Sequence, residues 1–255
     1  MELSIFIVIV GIFILSILSQ GFLYMRTKKQ EKSREYKEIS QQLILPYLNE
    51  VVLFIDVKTD HRKETGVQML EVNAEEVIAR IQEKISFGNA KLMNALYRYY
   101  HAVAYFEGRG EAKNLATYEV FYHYLAHAYN TIEKSELKDE QLLDTILKNQ
   151  KIYGIAFVLT SILGNDEAIK IISHKWLWSH NFLNKVSIHL LDDLINNYNN
   201  STMEEHKLLK FLSIIKQDFH ESPEIDRFQE LKNYLEEAFV IVEKRWLNYS
   251  ANQYY

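Results

Sequence analysis

The chain has 255 residues, a formal net charge of −5 at pH 7 and no cysteine. The lack of thiols excludes disulfides, zinc–thiolate sites and cysteine nucleophiles, and the negative net charge argues against a globally basic nucleic-acid binder. Only 2 prolines and 8 glycines occur in the sequence, which is too little turn punctuation for a strand-rich fold. The composition therefore predicts an all-α protein with long helices and short connections.

An uncharged apolar run extends from Leu3 to Met25. A helix rises about 1.5 Å per residue, so this run is long enough to cross a hydrocarbon core of about 30 Å. A secretory signal peptide would need basic residues ahead of the run and a small-residue cleavage site behind it, and the sequence has neither feature. Residues 1–25 are therefore predicted to form a single transmembrane anchor.

A charged juxtamembrane helix over residues 26–45 is predicted to follow the anchor. Because positively charged flanks stay on the cytoplasmic side of a membrane, we expect the N-terminus outside the cell membrane and the C-terminal domain in the cytoplasm. The same flank is expected to be attracted to the anionic headgroups of the lipid bilayer. Its basic residues are Arg26, Lys28, Lys29, Lys32 and Arg34.

Residues 46–249 are predicted to form the helical cytoplasmic domain, a multi-helix bundle, and residues 250–255 a tail. Pro46 is expected to kink or restart the helix that reaches it. Two short apolar runs, EVVLFIDV at 50–57 and VQMLEV at 67–72, could pair as a small β-hairpin. The helical character of the rest of the chain favours helix for this region.

Two helices are predicted to form the centre of the domain. One spans residues 115–132, where core-facing residues follow each other at helical spacing. The next, at 138–163, ends in IYGIAFVLTSIL, which is too short to span a membrane and is typical of a buried central helix. Further upstream, Asn73 and Glu76 form an N-cap with a capping-box glutamate. The core-facing residues of the first helix are Leu115, Tyr118, Tyr122, Leu125, Tyr129 and Ile132.

Glu119, His123 and His127 recur every four residues on the first of these helices. A carboxylate and two imidazoles on one helix face could bind a divalent metal. The alternative is a polar stripe beside the core-facing tyrosines. Because no HExxH or repeated Glu-x-x-His pattern supplies further ligands, we expect no metal or other cofactor.

An aromatic and basic patch is predicted on the helix at about 90–107. It includes Arg98, Tyr99, Tyr100 and His101, with Arg109 just beyond. Such a patch could stack single-stranded nucleic acid or contact a protein partner. Tyrosines at this density also fill interfaces between helices, and the overall charge makes nucleic acid the weaker candidate.

Residues 119–175 resemble phage abortive-infection proteins of the AbiC-like type. The likeness covers less than a quarter of the chain. It lies in the run FYHYLAHAYNTIEKSELKDEQLLDTILKNQ, the apolar helix after it, and ILGNDEAIKIISHKW. In that family, N-terminal membrane helices precede a helical cytoplasmic domain, and a helix with a glutamine near its middle follows a Tyr/His-rich one. Gln150 occupies the corresponding place here. The resemblance implies a role in anti-phage defence.

The sequence as a whole predicts a single-pass, membrane-anchored helical protein that acts through protein–protein interaction. The partner is an unidentified protein, and a second copy of the chain is one candidate. Two alternatives remain open at this stage. One is a metal-dependent hydrolase or nuclease that uses Glu119, His123 and His127. The other is a membrane-tethered nucleic-acid sensor that uses a positive surface around Arg98 and Arg109.

Overall fold

The computed structural model describes residues 2–60, 71–105, 110–202 and 204–221, together with positions 233, 236, 239–242 and 244. Within this part of the chain every regular element is helical, which confirms the all-α prediction. The elements in chain order are α1 (Glu2–Ile39), a π-helical turn (Ser40–Ile44), α2 (Leu45–Lys58), α3 (Ala74–Glu83), a 3-10 turn (Ile85–Phe87), α4 (Ala90–Ala104), α5 (Glu111–Glu133), α6 (Glu140–Leu163), α7 (Asn165–Ile172), a second 3-10 turn (Lys175–Trp178), α8 (His180–Lys185), α9 (Ile188–Asn199) and α10 (Glu205–Glu221).

No helix in the described part of the chain combines the length and the apolar character that a membrane crossing requires. The backbone of α1 begins at Glu2. The side chains of residues 1–18, which make up most of the predicted anchor, lie outside the described residues. The membrane anchor therefore stays a prediction.

The junction between α1 and α2 shows the effect of Pro46. The π-helical turn Ser40–Ile44 separates the two helices, and Pro46 stands in the first turn of α2. Proline is tolerated there because the first N–H groups of a helix have no intrahelical acceptor. The expected interruption at Pro46 takes the form of this π-helical turn, through which the chain stays helical.

The alternative of a β-hairpin over 50–72 is wrong for its first half, because residues 50–57 lie within α2. Val51 and Ile55 are four residues apart and both fully buried, as expected for one face of a helix rather than for an alternating strand. Residues 61–70, which hold most of the second half, lie outside the described residues.

Helices α5 and α6 form the centre of the fold and make its most extensive interhelical contact. The predicted core-facing residues of α5 are buried, except that Tyr129 is partly exposed. The apolar end of α6 is buried almost throughout, as the sequence predicts. Around this pair, α4 packs against α5, whereas α7 and α9 pack against α6.

Buried tyrosines fasten the neighbouring elements to this central pair. Each is fully buried and donates its hydroxyl proton to an acceptor on another element, at 2.5–2.8 Å. A buried hydroxyl without an acceptor would be costly, so these bonds set the position of α2, α7 and α9. The pairs are Tyr118–Asn165, Tyr122–Asp192, Tyr124–Ile44 and Tyr153–Val51.

Side-chain caps define where several helices begin. Asn73 accepts hydrogen bonds from the N–H groups of Glu75 and Glu76, which confirms the predicted cap of α3. Asn89 accepts from the N–H of Leu92 at 2.9 Å and thereby starts α4. This cap aligns α4 so that its middle lies against α5, where the candidate site forms.

Candidate functional site

An ion pair between Arg98 of α4 and Glu119 of α5 lies at the centre of the site. The Arg98 Nε lies 3.0 and 2.9 Å from the two carboxylate oxygens of Glu119, and its Nη2 also donates to Oε1. Asn199, at the end of α9, donates its Nδ2–H to the same oxygen at 2.7 Å. Glu119 is 1% exposed, and a buried carboxylate is tolerated only when it is paired. These donors therefore join three helices at one buried charge.

His123 lies one helical turn beyond Glu119. Its Nε2 is 3.8 Å from Glu119 Oε1, which is too far for a hydrogen bond. Its Nδ1 has no hydrogen-bond partner among the described residues, and the residue is 3% exposed. Burial lowers the pKa of His123 to about 4, although the nearby Glu119 carboxylate opposes that shift. His123 is therefore a neutral imidazole at pH 7 with one unused nitrogen.

His127 points to a different part of the fold. Its Nε2 lies 2.9 Å from the carbonyl oxygen of Phe87, and its Nδ1 lies 3.3 Å from Asn89 Nδ2. With Nε2 donating and Nδ1 accepting, a neutral imidazole uses both of its nitrogens. Burial lowers the pKa of His127, while the bond to Phe87 acts in the opposite direction. The residue therefore links α5 to the cap of α4.

The predicted metal ligands are thus only partly brought together. Glu119 and His123 are neighbours, but donors from Arg98 and Asn199 already surround the carboxylate, and His127 is bound elsewhere. Among the described residues, no group of three or more His, Asp or Glu side chains is arranged to hold a metal ion. The expectation that the protein binds no metal stays a prediction, and no contact in this part of the chain favours the metal alternative.

A cleft opens to solvent beside Arg98, and we call it the Arg98 cleft. Its volume is about 410 Å³. Its walls are apolar and aromatic apart from the ion pair at its base, because Leu115 and Phe157 line it together with tyrosines. Clefts of this kind, with few polar groups among apolar walls, are typical of binding sites. The tyrosines are Tyr97 and Tyr105 on the α4 side and Tyr198 on the α9 side.

An exposed aromatic surface on α4 forms the rim of this cleft. Tyr97 is 73% exposed and Tyr105 is 67% exposed. His101 lies between them, with ring centroids 6.4 Å from Tyr97 and 4.5 Å from Tyr105. We call this surface the α4 stripe and define it as Met93, Tyr97, Tyr100, His101 and Tyr105, all exposed.

The structure corrects the predicted aromatic and basic patch at Tyr99. Tyr99 is 3% exposed and lies in the core, because it continues the buried face of α4 that begins with Leu92 and Leu96. This spacing was a sequence signal that would have separated Tyr99 from Tyr100. Arg98 forms an ion pair with Glu119. Arg109 lies outside the described residues.

A second cleft lies on another side of α5, and we call it the His123 cleft. Its volume is about 590 Å³, and His123 and Gln150 line it. At its edge the Lys91 Nζ is 3.0 Å from the carboxylate of Asp192, which also accepts from the Tyr122 hydroxyl at 2.8 Å. The lysine and the carboxylate at this edge therefore pair with each other.

Sequence reasoning missed Lys91, Asp192 and Asn199. Asn199 is 80 residues from Glu119 in the chain, and Asp192 is 70 residues from Tyr122. No local spacing relates such residues, since only packing of α9 against α6 brings them to the site.

The predicted basic flank lies on α1. All five of its residues are exposed, as expected for solvated cations: Arg26, Lys28, Lys29, Lys32 and Arg34.

Comparison of the chain with protein-family models, with curated proteins and with solved structures finds no match. The resemblance of residues 119–175 to AbiC-like proteins remains a resemblance of sequence.

Proposed function

We propose that this protein is a single-pass, membrane-anchored helical protein that acts in anti-phage defence by binding a partner protein through the α4 stripe. The observation that carries the proposal is the exposure of Tyr97 and Tyr105. The large aromatic residues of α5 and α6, by contrast, are almost all buried. Tyrosine is enriched at the centres of protein–protein interfaces, where it supplies a large rigid surface and a polar hydroxyl.

The chemistry of the Arg98 cleft favours an apolar protein side chain as its occupant. Arg98 is the one Lys or Arg among the described residues that line the cleft, and the carboxylate of Glu119 neutralises its charge. Binding of a nucleic-acid strand would need unpaired cations beside the stacking rings. A leucine, methionine or phenylalanine of a partner protein would instead bury itself against Leu115 and Phe157 while its backbone contacts the exposed tyrosines.

The membrane anchor and its orientation rest on the sequence. The uncharged run Leu3–Met25 has the length of a bilayer crossing, and the exposed cations on α1 follow it directly. The role in defence rests on the resemblance of residues 119–175 to AbiC-like proteins. Gln150, which corresponds to a residue of that pattern, is buried in α6 and lines the His123 cleft.

Site-specific photocrosslinking in living cells tests the proposed interface. A photoreactive phenylalanine analogue in place of Tyr97 is expected to crosslink a protein, because a bound partner would lie against this ring. The same analogue at Thr145, an exposed position on α6, serves as the control and should give no such product. Replacing Tyr105 with Ser in the Tyr97 crosslinking variant should abolish the crosslink if the two rings share one partner.

The identity of the crosslinked species and the response to phage separate the alternatives. A crosslink to nucleic acid, or equal products from positions 97 and 145, would contradict the proposal. If the binding serves defence, Tyr97→Ser/Tyr105→Ser should raise the plaque count of an otherwise restricted phage. The amount of protein in the membrane fraction should be unchanged. Restriction that survives this double substitution would argue against the α4 stripe.

A further inference from the structure

A basic groove lies where α1 passes the connection between α5 and α6. Its volume is about 950 Å³. Ser33 Oγ of α1 lies 3.2 Å from Glu136 Oε1 of the connection, so the two walls are in contact. The α1 wall of the groove consists of eight residues between Met25 and Tyr36, and the opposite wall consists of Lys134, Ser135 and Glu136.

Positive charge dominates this groove. Arg26, Lys28, Lys29 and Lys32 contribute four exposed cations from α1, and Lys134 at the end of α5 adds an exposed cation from the opposite wall. Within the described part of the chain none of these five forms an ion pair. The one acidic residue in the lining is Glu136, which accepts the hydrogen bond from Ser33.

The acidic residues that alternate with these cations in the sequence do not neutralise the groove. Glu31 and Glu35 are not among its lining residues. At 100° per residue Glu31 and Glu35 lie about 160° and about 120° around α1 from Lys29, and Glu35 is about 60° from Lys32. The lining of the groove therefore carries more positive than negative charge.

We propose that the basic groove binds the phosphate headgroup of an anionic phospholipid, a proposal that rests on the proposed membrane anchor. Cations that directly follow a membrane helix, and basic pockets formed with a second element, are the two features by which proteins recognise such headgroups. The groove has both, since Lys134 and Ser135 face the flank of α1 across it.

The position of the groove suits a lipid. If the anchor ends near Met25, Ser33 lies about 12 Å beyond it along the helix axis. The headgroup layer extends about 5–8 Å outside the hydrocarbon core, so a headgroup phosphate would enter the groove at Arg26 and Lys29. Lys134 lines the opposite wall of the same groove.

Thermal unfolding of the full-length protein in a neutral detergent tests the proposal. Short-chain phosphatidylglycerol is expected to raise the melting temperature by about 3 °C or more at saturation, since it binds only the folded state. Short-chain phosphatidylcholine and inorganic phosphate are expected to have no comparable effect. Lys134→Gln and Lys29→Gln should each reduce the shift by at least half. The matched controls Lys210→Gln and Lys37→Gln, exposed on α10 and α1 outside the groove, should leave it intact.

Three outcomes would contradict the proposal that the basic groove binds an anionic lipid headgroup. They are equal shifts with phosphatidylglycerol and phosphatidylcholine, an equal shift with inorganic phosphate alone, or a full phosphatidylglycerol shift in Lys134→Gln. The last would mean that the flank of α1 acts without the second wall. Failure of the anchor itself is seen separately, because the protein would then leave the membrane fraction in alkaline carbonate before any lipid is added.

Discussion

His123 is the residue whose chemistry fits its surroundings least well. A histidine in water is half protonated near pH 6.5, but burial lowers the pKa of His123 to about 4, and its Nδ1 has no partner among the described residues. Glu119 does not make up for this, since its oxygen is 3.8 Å away and already accepts from Arg98 and Asn199. Burial therefore holds His123 in the fold as a neutral imidazole, at a cost to stability that grows as the pH falls.

Stability should fall between pH 6.5 and pH 4 because of His123. In this window the unfolded chain binds a proton at this position and the folded protein does not, so acid favours unfolding. Between pH 7 and pH 5 the effect amounts to about 1–2 kcal/mol. His123→Leu should therefore lose less stability than the wild type over this range, as measured by denaturant unfolding of the detergent-solubilised protein.

His127 contributes in the same direction, since burial also lowers its pKa, so the variant should keep part of the dependence. His180→Gln is the control, because His180 is exposed at the start of α8, and it should follow the wild-type curve. A His123→Leu curve parallel to that of the wild type would show that His123 is not held neutral by burial.

At the scale of elements, the close contact between α5 and α6 depends on Gly154. A Cβ at this position would lie 2.9 Å from Leu191 Cδ1 and 3.0 Å from the Tyr122 ring. The ring cannot retreat freely, because its hydroxyl is bonded to Asp192. A glycine within α6 weakens the isolated helix by about 1 kcal/mol relative to alanine, so its benefit is the close packing of α5, α6 and α9.

Gly154→Ala should lower the free energy of unfolding by up to about 2 kcal/mol. The cost of overpacking, about 1–3 kcal/mol, exceeds the gain in helix propensity. In a Leu191→Val background the loss should be smaller, because one of the two clashing groups is shortened. Gly21→Ala, where a Cβ would meet no atom within 4 Å, is the control. A stabilised Gly154→Ala protein would mean that the α5–α6 contact is looser than described.

At the scale of the whole molecule, the proposals divide the surface into two functional ends. The basic groove lies next to the proposed anchor, at the end of α5 that carries Lys134. The Arg98 cleft lies near the opposite end of α5, where Leu115 begins its buried face. These residues are separated by about 28 Å along the helix at about 1.5 Å per residue. A partner bound at the α4 stripe would therefore be held away from the bilayer surface.

The proposed topology places the C-terminus in the cytoplasm. A green fluorescent protein fused after Tyr255 should fluoresce, whereas an alkaline phosphatase at the same place should be inactive, because the flank of α1 is retained inside. A variant with Glu2→Lys, Arg26→Gln, Lys28→Gln and Lys29→Gln has more positive charge before the apolar run and less after it. This variant should show higher phosphatase activity, because fewer cations retain the C-terminal side in the cytoplasm. High phosphatase activity of the unaltered chain would overturn the orientation.

Local sequence patterns were enough to predict most helices of this protein. Scarce proline and glycine indicated long helices, the spacing of Tyr118, Tyr122 and Leu125 identified part of the buried surface of α5, and Asn73 marked the start of α3. These features are local, since a helix is encoded by neighbours three and four residues apart. The apolar run Leu3–Met25 likewise predicts a membrane anchor from local sequence alone. Most of its side chains lie outside the described residues.

The roles of the polar side chains, by contrast, depend on contacts between helices that are distant in the chain. The spacing of Glu119 on its helix suggested a metal ligand, but its carboxylate accepts hydrogen bonds from Arg98 of α4 and Asn199 of α9. Tyr99 and Tyr100 are adjacent in sequence, yet one is in the core and the other on the surface. Lys134 joins Arg26 and Lys29 across a groove. Contacts between residues distant in the chain produce the buried sites, the ion pairs and the clefts. The periodicity of one helix does not indicate which other helix will pack against it.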